Sequence, residues 1–440
     1  MKRLSTPKHI CLWFPLYIMA IIAIQSRWTV EWLGLPGIVS KVGALLLYLP
    51  FGVFICWKLV CDLKARKLTF PIIAYYSFAG YYGVLTVFRF LNHMEVKENL
   101  YYTIILLGSI SLFSLIYDGH IRVEKESLYN DVCIVSAVLM LYMLLFVLLL
   151  KPIVTYSIIN EIAIGGSILI LTPLVTKKLW MARNNTFWTV FCMLILFSFA
   201  SVVFTLRSRV TFVVFLFELA ALIVISIHKK RVLLRYTGAM LGAVVLVACL
   251  FALNVGQVRY AVYREIGFTS AGMIGGGNQP SSGEIDSPDQ QEALDQINRS
   301  DSMRADLLNM SIERVRENPL FGTGDVFYSY VVGEETFEAP AHNFVFASLN
   351  CYGLIGLFLL VALVLSIMWS VHLFRLKDRP TLYPRMLFLL TLVVYFGEGM
   401  VQATVYDVLV MPLMFIVFAA FALSLKPATD AERICQNVPT

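Results

Sequence analysis

At 440 residues, 59% of them apolar and 15% charged, with a mean hydropathy of +0.76, this chain carries more apolar side chain than a soluble protein can bury. Its solvent is therefore a lipid bilayer. The net charge of +6 is spread over many short loops, which excludes a nucleic-acid footprint, and no nucleic-acid partner is expected. The eight cysteines are scattered, nearly all in or beside apolar runs, with neither metal-ligand spacing nor a disulfide framework.

Crossing the hydrocarbon core takes about twenty apolar residues. Twelve such runs are centred near Met19, Leu47, Gly80, Leu107, Tyr142, Ser167, Ile195, Leu219, Val245, Leu360, Val394 and Phe415. Glu161 and Glu398 interrupt the sixth and the eleventh. The start of the chain is basic, but no small-residue cleavage site follows it, so the first helix is expected to be retained. Lysine and arginine then recur in every second loop. Lys58, Lys64, Arg66 and Lys67 follow helix two, Arg122 and Lys125 helix four, and Lys177, Lys178 and Arg183 helix six. Lys229, Lys230, Arg231 and Arg235 follow helix eight, Arg375, Lys377, Arg379 and Arg385 helix ten, and Lys426 and Arg433 lie in the tail. By the positive-inside rule both termini are cytoplasmic. The expected fold is an all-α polytopic membrane protein of about twelve transmembrane helices, with one large outer loop between helices nine and ten. Three regions follow: helices one to nine over 1–255, the loop over 256–341, and helices ten to twelve with a short cytoplasmic tail over 342–440.

The two halves of the loop differ. Residues 272–291 are rich in glycine, proline, serine and acids and cannot bury a core. Residues 303–317 place Leu307, Leu308, Met310, Ile312 and Val315 among polar neighbours, the spacing of an amphipathic helix, with Ser302 placed to cap it and Pro319 with Gly322-Thr323-Gly324 to end it. The loop holds Arg259, Arg264, Arg299, Arg304, Arg314 and Arg316 but no lysine. Guanidinium forks fit phosphate oxygens bidentately, so the set suits a phosphate-bearing ligand. Arg304, at the helix start, is the better anion ligand, while Arg314 and Arg316 read as the solvated face.

Ionisable groups at the membrane edge are costly and therefore candidate functional groups. Lys41, Arg89, Glu161, Arg207, Arg209, Glu398 and Asp407 fall near the outer face. Lys41 and Arg89 read as snorkelling from helix ends. Glu161 and Glu398 are open to structural pairing or to function, and Glu218, midway along its helix, is expected to pair inside the bundle. Arg207-Ser208-Arg209 places two arginines in an outer turn, against the positive-inside bias, and reads as a site. His342 re-enters the membrane after the loop; at that edge it can take a proton from a hydroxyl, donate to an anion, or simply cap a helix. Asn343 is a candidate N-cap, and Gly353 and Gly356 are expected to permit close helix packing.

Polytopic helices, a late outer loop, Glu317-Asn318-Pro319-Leu320-Phe321-Gly322-Thr323-Gly324, and His342-Asn343 followed by Gly353 and Gly356 together resemble the bacterial O-antigen ligase and polymerase superfamily. These are membrane glycosyltransferases that use undecaprenyl-diphosphate-linked glycans. The resemblance runs from about helix seven to helix twelve and is most specific over residues 304–356. It implies an inner-membrane enzyme with its active site at the periplasmic face, no metal and no cofactor. By the resemblance, His342 is catalytic and Arg304 binds the lipid diphosphate. Arg209 takes the place of the family's Ser-Arg-Gly turn, with Val210 where the family has glycine. Arg207, Asn343 and Glu398 complete the expected substrate-binding set. The acceptor is a lipid A-core sugar hydroxyl for a ligase, the favoured reading, or a second lipid-linked glycan for a polymerase. A lipid-linked glycan flippase or transporter is disfavoured, because no similar halves are apparent and the polar groups collect at one face. A periplasm-active reporter fused after Ser281 is expected to give signal, and one fused after Lys230 none; the reverse pattern would place His342 on the wrong side for this chemistry.

Overall fold

The structure, a computed structural model, describes residues 9–25, 38–66, 68–92, 94, 96–143, 161–182, 184–204, 208–253, 306–324, 327–332, 335–340, 343–374, 379–400 and 407–426. Among the described residues, nine helices precede the large loop: α1 (Ile10–Gln25), α2 (Ile38–Ala65), α3 (Phe70–Leu91), α4 (Lys97–Tyr117), α5 (Lys125–Met143), α6 (Glu161–Met181), α7 (Thr186–Val203), α8 (Arg209–Ser226) and α9 (Lys230–Ala252). The loop contributes α10 (306–317) and a hairpin of β1 (Phe327–Val332) and β2 (Glu335–Pro340). Helices α11 (Phe344–Ser370), α12 (Arg379–Gly399) and α13 (Val410–Leu425) follow. Among the described residues, five stretches are long and apolar enough to cross a membrane: Leu45–Ala65, Asn99–Tyr117, Thr186–Val203, Lys230–Ala252 and Phe344–Ser370. Ile10–Ile22, Val210–Ser226 and Val410–Leu425 are apolar but shorter.

The bundle is built around α6 and α13. Every residue of α13 except Ser424 is buried, and α6 is buried from Ala163 to Leu179. Helices apolar on all sides belong in the interior of a bundle, and these two pack on each other while α12 packs on both. The hydroxyls on α6 are satisfied within the helix: Ser167, Thr172 and Thr176 donate to the carbonyls of Ala163, Ile168 and Thr172 at 2.7, 2.9 and 2.9 Å. Such back-bonding is how hydroxyls are accommodated where water is absent.

Several basic residues expected in loops lie inside helices. Lys58 is 4% exposed within α2, paired with Asp62 at 2.7 Å. Lys177 and Lys178 are buried in the last turns of α6, over Trp180 and Trp188 at 4.4 and 4.6 Å from the ring centres. Arg385 is likewise buried within α12. Cation–π contact with tryptophan is favourable for a desolvated ammonium, which lets these helices run on past the expected boundary.

The loop holds more order than the sequence reading placed there. Helix α10 is amphipathic as expected, with Leu307 and Ser311 buried, Met310, Ile312 and Val315 half-buried, and Arg314 and Arg316 exposed. Ser302, its expected cap, lies outside the described residues. The antiparallel hairpin, in register from Phe327 opposite Pro340 to Val332 opposite Glu335, was not anticipated. The all-helical expectation describes the bundle, with this hairpin added.

The feature that sets the course of α11 is a break within it. Gly353 has φ +67° and ψ −175°, a conformation that strains any residue with a Cβ. The turn that follows α10 fits into this break. Gly322 N–H donates to Asn318 O at 2.9 Å, closing the turn, and Gly324 N–H reaches Asn350 O at 2.9 Å. In return Leu354 N–H donates to Pro319 O at 2.9 Å and Ile355 N–H to Leu320 O at 3.4 Å. A methyl group at Gly353 would lie 2.1 Å from the Leu320 carbonyl oxygen. The expected close packing at Gly353 is therefore packing against a turn; at Gly356 a Cβ would lie 2.3 Å from Tyr352 Cβ across the break and 2.9 Å from Cε1 of Tyr81 in α3. Gly353→Ala is expected to cost at least about 2 kcal/mol, from forbidden φ and overpacking together. Gly83→Ala in α3, where a Cβ meets nothing within 4 Å, is expected to change stability by less than about 1 kcal/mol. Loss of monodisperse protein on heating in detergent measures both, and equal curves would refute the break as a constraint.

Candidate functional site at one end of the bundle

The first turn of α11 is built by Asn343. Its side-chain oxygen accepts from Val345 N–H at 2.9 Å and Phe346 N–H at 3.2 Å, the geometry of an N-cap. The amide nitrogen of the same side chain donates to Met400 O at 2.9 Å, tying the start of α11 to the end of α12. Phe344 and Phe396 pack alongside, with ring centres 5.7 Å apart and ring planes tilted by 57°. The chain immediately before α11 is thus located by α12.

Helix α12 also meets the start of α8. Ser208 is the N-cap of α8, and its hydroxyl lies 2.9 Å from that of Thr211. Thr211 donates to Glu398 Oε1 at 3.0 Å. The approach of α8 to α6 is close: a Cβ at Gly165 would lie 2.4 Å from Thr211 Oγ1. Asp407 caps the start of α13 through Leu409 N–H at 2.8 Å and Val410 N–H at 3.1 Å. The N-terminal ends of α8 and α11 therefore gather around the C-terminal end of α12. Helix N-termini carry partial positive charge, so this end of the bundle favours anions.

Of the residues expected from sequence, Asn343, Glu398 and the backbone of Arg209, first residue of α8, are brought to this one end. Glu398 is 1% exposed and directed at Thr211, so it braces α8 against α12 in place of facing an open surface. Its Oε2 and both carboxylate oxygens of Glu218, which is fully buried, have no partner among the described residues; the expected pairing of Glu218 is not seen among them. His342, Arg207 and Arg304 lie outside the described residues, as do the side chains of Arg209 and Glu161. Among the described residues no group of three His, Cys, Asp or Glu side chains is placed to hold a metal ion.

Sequence reasoning missed a set of residues from the N-terminal half. Breaking α11 frees carbonyls that the bilayer cannot hydrate, and α3 and α4 satisfy them. Asn99 donates to Cys351 O at 3.0 Å and Tyr81 to Tyr352 O at 2.7 Å. The Tyr352 hydroxyl lies 3.0 Å from that of Thr103. Arg89 donates to Phe321 O at 2.9 Å and Gly322 O at 3.2 Å from a position 1% exposed, so it does not snorkel. The one signal available in the sequence was a lone charge in an apolar helix with no acid one turn away.

A helical bundle with polar groups and helix starts collected at one end defines an integral membrane protein with a candidate site at a bundle end. Within it, residues 192–361, from the middle of α7 to the middle of α11, match the family described as O-antigen ligase. That match supports the O-antigen ligase and polymerase superfamily, on less than half of the chain. No curated protein matches the chain. Asn343 separates capping from anchoring. Asn343→Asp keeps the cap acceptor and loses the donor to Met400, whereas Asn343→Ala loses both. The alanine variant is expected to lose about 1 kcal/mol of stability and the aspartate variant less. Thermal unfolding of both measures this, and wild-type curves in both variants would refute the cap and the tie to α12.

Proposed function

We propose that the protein transfers a glycan from undecaprenyl diphosphate to a sugar hydroxyl on lipid A-core, as an O-antigen ligase at the periplasmic face of the bacterial inner membrane. In this reading all twelve bundle helices cross the membrane, both termini are cytoplasmic and residues 256–341 form the periplasmic loop. The observation that carries it is the N-cap of α11: the residue after His342 is fixed by α12 at the end where α8 begins, within the segment that matches the ligase family. The match between His342-Asn343 with its two glycines and the ligase pattern favours ligase over polymerase.

The chemistry follows from the residue types. Arg207, Arg209 and Arg304 hold the diphosphate and stabilise the negative charge that grows as it leaves, aided by the helix starts. His342 takes the proton of the acceptor hydroxyl as its oxygen attacks the anomeric carbon from the face opposite the diphosphate, inverting that centre. Diphosphate is already a good leaving group, so positioning supplies much of the rate and no metal is required. Asn343 and Glu398 fix the helices that present these groups.

Lipopolysaccharide from wild type, a deletion strain and His342→Ala cells, run side by side, tests both role and acceptor. General-base loss costs about 10²–10⁴-fold in rate, so the variant is expected to show normal core, little attached O-antigen and persisting undecaprenyl-linked polymer. A band of core plus a single repeat unit would replace ligase by polymerase. An unchanged ladder would leave His342 without a catalytic role.

A further inference from the structure

Arg89 has no carboxylate partner among the described residues, yet it is 1% exposed in the last turn of α3. Three features of its surroundings make that tolerable. Two of its donors are used by the Phe321 and Gly322 carbonyls through one terminal nitrogen. Its cation sits where the C-terminal end of α3 supplies partial negative charge. The face of the guanidinium is covered by Gly324, where a Cβ would meet Arg89 Cζ and Nη1 at 3.0 Å and Nε at 3.1 Å. Gly324 has φ +94°, so the turn is bent over the arginine in a conformation that only glycine adopts cheaply. An anion has no room here unless the turn leaves.

We propose that Arg89 is a positioning residue for the glycan-transfer site: it seats the turn 319–324 in the break of α11. The turn joins α10 to the break, and the half-helix 344–352 follows His342 in the chain. Seating the turn therefore fixes where α10 ends and where the half-helix 344–352 ends. It also gives the N-terminal half of the chain, outside the segment that matches the ligase family, a defined part in the site. The functional consequence rests on the transferase reading, whereas the seating of the turn does not. Lysine at this position keeps the charge but is a single point donor on a flexible stem, unable to lie flat under Gly324.

Hydrogen–deuterium exchange on the full-length protein in lipid nanodiscs reads the seating directly, through the amides of Gly324 and Leu354, both bonded across the break. Arg89→Met is expected to speed exchange at both by about tenfold or more, since hydrogen bonds to a charged donor are the strong ones. Exchange in α13 is expected to stay unchanged. In cells the same variant is expected to lose most of its surface-glycan ladder, and Arg89→Lys to restore only a small part of either readout. Unchanged exchange in Arg89→Met overturns the proposal, including the case where the ladder is lost, which would make Arg89 a ligand contact. If Arg89→Met does not insert, Gly324→Ala attacks the same contact from the turn. Faster exchange at Leu354 supports the seat, and wild-type exchange overturns it. Faster exchange in a protein whose wild type makes no glycan product would uphold the seat and remove the transferase reading.

Discussion

The arrangement at the candidate site depends on one constraint: a backbone polar group in a bilayer must find its partner within the protein. An unbroken α11 would meet that constraint by itself. Breaking it at Gly353 frees two donors and several acceptors, and each carbonyl left without one can cost several kcal/mol in hydrocarbon. The structure meets the cost group by group. Leu354 and Ile355 donate to Pro319 and Leu320, Asn350 accepts from Gly324, and Cys351 and Tyr352 accept from Asn99 and Tyr81. The break is thus not a defect in a spanning helix but a socket whose shape is set by the turn it receives.

This socket explains why distant parts of the chain cooperate. Asn99 and Tyr81 stand about 250 and 270 positions before their acceptors, and Arg89 reaches a turn more than 200 positions later. None of these contacts is local, and none lies between two residues of the segment that matches the ligase family. Helices α3 and α4 act as the wall against which the loop is pressed. Helices α6 and α13, apolar on every side, fill the centre and leave the polar business to the ends. At the basic end, lysines lie on Trp180 and Trp188 or pair with Asp62. At the other end, Glu398 meets a threonine hydroxyl and Arg89 meets carbonyls.

What could be read from the sequence follows the range of each interaction. The amphipathic period of α10 and the cap at Asn343 are local signals, and the structure carries both; of the twelve apolar runs, five are long and apolar enough to span among the described residues and three more form shorter apolar helices. Gly353 was legible as a glycine with a task, but the task belongs to a turn more than thirty residues upstream, which spacing alone does not reveal. Lys58, Lys177, Lys178 and Arg385 were placed in loops because charge marks loop ends on average; aromatic faces and an i, i+4 acid carry lysines inside. The same rule makes Arg89 look like a snorkelling helix end, and only the fold shows two carbonyls in its reach. The hairpin has a local signal too, an aromatic and β-branched run over Phe327–Val332 followed by Gly333, which a reading of the whole segment as polar loop leaves out.

The half-helix 344–352 is held at both ends by partners of different kinds. At its start, Asn343 caps the helix and donates to Met400 O, which ties it to α12 and through Glu398 and Thr211 to α8. At its finish, the turn, α3 and α4 close on the break at Gly353. The acid that braces the first end and the cation that braces the second do not pair with each other; each is matched to neutral dipoles. Pairing them would draw α3 and α12 together across α11, whereas separate neutral partners let each end be set by its own neighbour. A chain segment fixed at two points on rigid helices can hold an adjoining side chain far better than a free loop. That is the physical case for placing transfer chemistry beside residue 343.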